Sequence, residues 1–178
     1  MKKLFVFILL VLIAIILTGL YGMVHNQISY TVSPEYFTKF KFPQFGLMNS
    51  PLPERVRASL VGFRASWWMG IPIGLLVGIC GFIHRGPWRM FKISLWSYVI
   101  VMGFTFVFGL CGLLYGWLRT RTIDIADYQG HWFIPDDVVN LRRFLCAGYM
   151  HNSSYLGGTL AIFIAGIFHL AVRIRTNQ

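Results

Sequence analysis

The sequence predicts an all-α membrane protein: one domain over residues 1–178, a bundle of four transmembrane helices with two outer loops, segments 2 and 4 extending beyond the bilayer. Two observations carry that expectation. Apolar residues make up 56% of the chain and charged residues 12%, a balance foreign to soluble domains. Four apolar runs each reach the roughly 20 residues that a helix needs to cross about 30 Å of hydrocarbon. Strands are excluded from the spans because an open sheet leaves unpaired backbone groups in lipid.

The first run, Leu4 to Met23, comes after Met1-Lys2-Lys3. It exceeds a secretory h-region and has no small-x-small cleavage site beyond it, so it reads as a retained signal anchor. The second run, about 58–83, carries Gly70, Gly74 and Gly78 at four-residue spacing, and Pro72, which removes a helical hydrogen bond and should kink the span. Gly112 and Gly116 repeat the pattern in the third run, about 93–118, as do Gly157, Ala161 and Ala165 in the fourth, about 145–172. Such stripes let helices approach closely, within one chain or between copies in a homo-oligomer.

Between these runs lie the expected outer loops, about 24–57 and 119–144. Ser33-Pro34-Glu35 reads as an N-cap with proline at the first helical position, giving about two turns through Phe40. The alternation in "FTKFKF" leaves a strand open there. Ser50, Pro51, Pro53 and Glu54 mark a second helix start, and Pro135-Asp136-Asp137 a third, with acids suited to the positive end of a helix dipole.

Orientation is read from the density of charge. Lys2, Lys3, Arg85, Arg89, Lys92, Arg173 and Arg175 crowd short segments on one side, whereas the other basic residues and every acid spread over the two long loops. Weighted that way, the positive-inside rule places both termini in the cytoplasm, and the expected setting is a bacterial inner membrane. The net charge of +10 then reflects span flanks and lipid headgroups, with no nucleic-acid partner implied. Trp88 and Trp96 border one interface, and Trp67, Trp68, Trp117 and Trp132 the other.

Two phrases, "HNQISY" from His25 and "HNSSY" from His151, each sit against one end of an apolar run. Counted from the inner border at about 1.5 Å per residue, His25, Arg64 and His151 share the outer interface. Arg57, Arg64 and Trp68 fall on one helical stripe, and His151 and Tyr155 form an i, i+4 pair. The candidate ligand pocket is therefore His25, Asn26, Tyr30, Arg64, Trp68, His151, Asn152 and Tyr155. An arginine within a span is expensive when it faces lipid and finds partners inside. Its planar cationic fork, with imidazole, amide and phenol donors, suits an anionic small molecule or a lipid headgroup.

Other readings compete. Histidine, asparagine and tyrosine are ordinary interfacial residues and arginine snorkels, so the same cluster also reads as a structural cap. A metal on His25 and His151, completed by Glu35 or His131, lacks any HxxxH or CxxC spacing. Two bis-histidine haem sites, one using His25 and His151 and one His84 and His169, would sit at the membrane edges. Cys80, Cys111 and Cys146 fall one per span, without the paired loop cysteines that disulfide-to-quinone electron transfer needs. No catalytic serine or carboxylate pair is positioned by the sequence, and no charged path through the spans suggests a pump or channel. Two functional classes stay open: a bundle with an outer ligand pocket, serving sensing, transport or membrane-bound chemistry, and a structural or accessory subunit that meets a membrane-protein partner.

Overall fold

The computed structural model describes residues 2–122, 124–128 and 130–175, and among these no strand occurs. Four helices are long and apolar enough to span a membrane: Lys3–Val32, Glu54–Gly81, Pro87–Arg119 and Leu141–Arg175. The first, α1 (Lys3–Val32), exposes Leu4, Ile8, Leu12, Ile16, Leu20 and Val24 at four-residue intervals and buries Val6, Leu10, Ala14 and Gly22. Large apolar residues thus cover the outward face, where a helix of a soluble protein carries polar ones. The helix runs on past the apolar stretch to Val32. Pro34 disfavours helical backbone at the residue before it, and Ser33 is extended at φ −146°, ψ 96°. His25, Asn26 and Tyr30, expected in an outer loop, are therefore helical.

Ser33 also caps the next segment: its Oγ accepts the Tyr36 N–H at 3.2 Å. A π-helix, Tyr36–Lys41, runs directly into the short α2 (Phe42–Gln44), and the two together form a loop helix. The helical reading of "FTKFKF" holds over the strand, and it continues to Gln44 rather than stopping at Phe40. The wider π spacing, with the Phe42 N–H bonded to the Phe37 carbonyl, lets both rings point into one cluster with Tyr36, Val61 and Phe144.

Helix α3 (Glu54–Ser66) starts where the Pro-Leu-Pro-Glu signal places it. A 3-10 turn, Trp67–Met69, separates it from α4 (Gly70–Gly81). Pro72 cannot donate to the Trp68 carbonyl four residues back. The tightened turn answers this locally, with the Gly70 N–H directed at the Trp67 and Trp68 carbonyls.

Two expected borders move. Helix α5 (Pro87–Arg119) begins ahead of Ile93, because Gly86 adopts φ +81° and Pro87 is preset for the first helical position. Helix α6 (Leu141–Arg175) begins at Leu141 and not at Pro135, which heads only a turn closed by the Val138 N–H at 3.3 Å. Asn140 is the cap, its Oδ1 accepting the Arg143 N–H at 3.1 Å. Glu35 reaches across from the loop helix and accepts the Val139 and Asn140 N–H groups at 3.1 and 2.7 Å.

The bundle consists of two tight hairpins. In the first, α1 lies so close to α3 and α4 that a Cβ on Gly62 would fall 2.1 Å from the Gly22 carbonyl oxygen, and one on Gly70 would fall 2.4 Å from the Ile15 Cα. In the second, Gly112 and Gly116 admit Ser153 and Tyr149 of α6. The glycine stripes thus serve packing within the chain. Lys3 Nζ donates to the Phe82 carbonyl at 2.9 Å, and His84 Nε2 lies 2.9 Å from His169 Nδ1. Those contacts set the start of α1 and the last turns of α6 beside the α4–α5 connection, here termed the turn end; the long loops form the loop end. Between the ends an apolar layer of Val6, Leu10, Val77, Met90, Val101, Ala161 and Ala165 fills the interior.

Candidate functional site

Helix α3 packs on α1 and the loop helix rather than on α5 and α6. The gap left on that side, at the loop end, holds a cavity of about 310 Å³. All four spanning segments and the loop helix line it. Two of its walls carry histidine: His25 of α1 and His151 of α6 meet edge to face with ring centroids 4.7 Å apart. Each has a hydroxyl partner on the facing helix, Ser154 Oγ at 3.0 Å from His25 Nε2 and Ser29 Oγ at 3.1 Å from His151 Nε2. Tyr36 of the loop helix stacks on His151 at 5.0 Å. Asn26 Nδ2 donates to the Ala58 carbonyl at 3.0 Å and ties α1 to α3.

Two cations line the same space. Arg64 Nη1 donates to the Phe45 carbonyl at 3.3 Å, and Lys41 Nζ donates to Gln44 Oε1 at 2.9 Å while lying 4.1 Å over the Phe40 ring. Neither has an ion-pair partner among the described residues. Among the described residues no aspartate or glutamate lines the cavity. Burial alone pushes the Lys41 ammonium down to about 8 from its usual 10.5, since a cation loses hydration there without gaining a counter-charge. Tyr21 also lines the cavity, with its hydroxyl buried.

Of the residues expected to converge, His25, Asn26, Arg64, Trp68, His151 and Tyr155 line this one cavity. Tyr30 does not: its hydroxyl bonds the Glu54 carboxylate on another face of α1, with the Arg55 guanidinium 5.1 Å over its ring. Asn152 points outward from α6. Arg57, on the same helical stripe as Arg64, does not line the cavity; it donates to the Leu47 and Met48 carbonyls at 3.2 Å. Lys41, Gln44, Tyr21 and Ser154 were missed. The inward spacing of Tyr21, His25 and Ser29 was available as a signal for one of them, whereas nothing in the sequence folds the loop helix over the bundle.

The metal set does not assemble. Glu35 is occupied with the α6 N-terminus and Lys39, the latter at 2.9 Å; His131 is exposed on the second loop, and no group of three ligating side chains exists among the described residues. The haem reading fails on distance at the turn end. An iron between two imidazoles holds their nitrogens about 4 Å apart, twice a metal–nitrogen bond of about 2 Å, whereas His84 and His169 are in direct contact at 2.9 Å. Their other nitrogens, Nδ1 of His84 and Nε2 of His169, are buried with no hydrogen-bond partner among the described residues.

No known protein family, characterised protein or solved structure matches the chain. Its class rests on its own geometry: an all-helical bundle with four helices apolar and long enough to cross a membrane.

Proposed function

We propose that this is a multi-pass membrane protein that binds an anionic group in the loop-end cavity, with Lys41 and Arg64 supplying charge and His25, His151 and Tyr155 orienting the ligand. The observation that carries this reading is a cavity lined by two cations with no acid on any wall. A charge-assisted hydrogen bond from either is stronger than a neutral one, and unbalanced cations facing a partly apolar space favour an anion over water. The membrane setting is supported by the exposed leucine, isoleucine and phenylalanine along every span, such as Phe163 and Ile167 on α6. Helix α6, at 35 residues, is about 52 Å long and exceeds the hydrocarbon thickness, so it projects from the bilayer. The basic residues at the turn end orient that end to the cytoplasm.

Two measurements test this. Protein purified from membranes should release an anionic compound, identified by mass spectrometry, at close to one per chain. The Lys41→Gln/Arg64→Gln double variant should release at least tenfold less. Equal release from both, or none from the unaltered protein, removes the reading and leaves an accessory subunit as the better description. Orientation is checked with single cysteines at Asn49 and Arg89 in a background lacking the native cysteines. An impermeant thiol reagent should label the first in intact cells, and labelling of the second instead reverses the assignment.

A further inference from the structure

We infer that the anion is the head of a lipid-like amphiphile, an alkyl or acyl phosphate, that reaches the cavity sideways from the bilayer between α3 and the α5–α6 hairpin. This rests on the proposed anion binding and adds the chain, the route and the source. A free anion needs only the polar end of this cavity. The deeper lining is mainly apolar: Met69 and Ile73 from the middle of the second span, Val101 and Met102 from α5, and Thr18 and Thr105, whose hydroxyls donate to the Ala14 and Val101 carbonyls of their own helices. Ile73 lies nine residues beyond Arg64, about 13 Å further along the helix axis. The cavity is therefore polarised along the membrane normal, cations toward the loop end and hydrocarbon toward the bilayer centre, the same polarity as a lipid in one leaflet.

The packing sets the route. Because α3 leans on α1, the space between it and α5–α6 is not closed by helix contact. The residues at its rim are exposed although they line the cavity: Trp68 at 49% and Tyr155 at 47%, with Arg64 beside them. Tryptophan, tyrosine and arginine at a lateral opening match the headgroup level of a bilayer. From above, the loop helix covers the space with Lys41, Gln44 and Phe45, so a lipid in the leaflet has the shorter path than a solute in water. At about 310 Å³ the cavity takes the head and the first part of a chain, the rest trailing into the bilayer.

The test uses the full chain in phosphatidylcholine nanodiscs with a dodecyl phosphate carrying a photoreactive diazirine at mid-chain. Labelling, mapped by peptide mass spectrometry, should fall on Met69, Ile73, Val101 or Met102. Unlabelled dodecyl phosphate should compete at least a hundredfold better than methyl phosphate. Labelling should fall at least tenfold in Lys41→Gln/Arg64→Gln and return in Lys41→Arg/Arg64→Lys, with helix content and melting temperature of both variants matching the unaltered protein. Equal competition by methyl phosphate, still dependent on Lys41 and Arg64, means a free anion and overturns the lipid assignment while the anion reading stands. Labelling confined to bilayer-facing positions such as Val107 and Ile167, indifferent to the double variant, overturns both.

Discussion

The bundle carries a histidine pair at each end, and the two pairs do different things. At the loop end His25 and His151 touch edge to face, each with a serine hydroxyl partner, on the wall of a cavity. At the turn end His84 and His169 bond to one another at 2.9 Å, are 1% and 0% exposed, and leave two nitrogens with no hydrogen-bond partner among the described residues. One pair faces space and the other is sealed. The difference lies in the neighbours: at the turn end α4 joins α5 through a short connection that holds the hairpins together, while at the loop end α3 stays with α1 and separates from α5 and α6. Residue type therefore does not define the site; the divergence of the helices does.

The largest test of that contrast is steric. Leucine at Gly62 meets the Gly22 backbone, whose carbonyl oxygen would be 2.1 Å from the new Cβ, so α1 and α3 must part at the cavity. Gly62→Leu should lower the melting temperature by more than about 10 °C, an overpacking penalty of several kcal/mol in a domain of this size. Gly74→Leu, set against the Val11 Cα at 2.8 Å and the Ala14 Cβ, should come second. Gly78→Leu meets only the Phe7 ring, which can rotate, and should be mildest. A reversed order in thermal melts would mean that the hairpin is held at the turn end.

Exchanging the histidines sharpens the comparison further. His169→Leu strips His84 of its imidazole partner and should destabilise by about 1–3 kcal/mol, the cost of a buried polar group left unpaired. The double change His84→Leu/His169→Leu should recover much of that loss in the same denaturation assay, and ligand release should be unaltered. His25→Leu/His151→Leu should instead reduce ligand release. Loss of ligand from the turn-end double variant would show that the two ends are coupled.

Dependence on pH separates the ends with smaller effects. Lys41 loses its charge as pH rises through about 8, so ligand retention should decline above that value and stay level in Lys41→Arg. Between about 8 and 10.5 the unfolded chain holds a proton that folded Lys41 has released, so folding stability should rise over the window in which retention falls. At the turn end burial, then the positive charges of Arg89, Arg173 and Lys3, hold His84 below its usual 6.5. The unfolded chain takes up that proton first, and stability should be lost as pH falls below 6.5. Replacing His84 with phenylalanine should flatten this limb of a pH–melting curve.

Much of the candidate site was legible because long apolar helices make depth countable. A constant rise per residue put His25, Arg64 and His151 at one level, and the structure gathers them around one cavity. The same count did not choose between Tyr30 and Tyr21, which lie about 7 Å beyond and about 6 Å before His25 along α1 and, nine residues apart, on opposite faces of it. Asn152 failed for the same reason, one residue from His151 yet turned outward. Lys41 was out of reach because its place depends on a loop folding back, fixed by Phe37 and Phe42 entering a cluster with Phe144, a contact across more than a hundred residues.

By itself the sequence determined the four apolar helices, the small-residue stripes that bring them together, the Ser33 cap and the Glu54 start. Each arises from composition, periodicity or a bond between residues a few positions apart. The tertiary structure decided where helices diverge, which face of each looks into the gap, and what covers it. Those outcomes depend on backbone approach at Gly22 and Gly62 and on the Glu35 carboxylate meeting the α6 N-terminus, contacts between distant residues that no local pattern specifies.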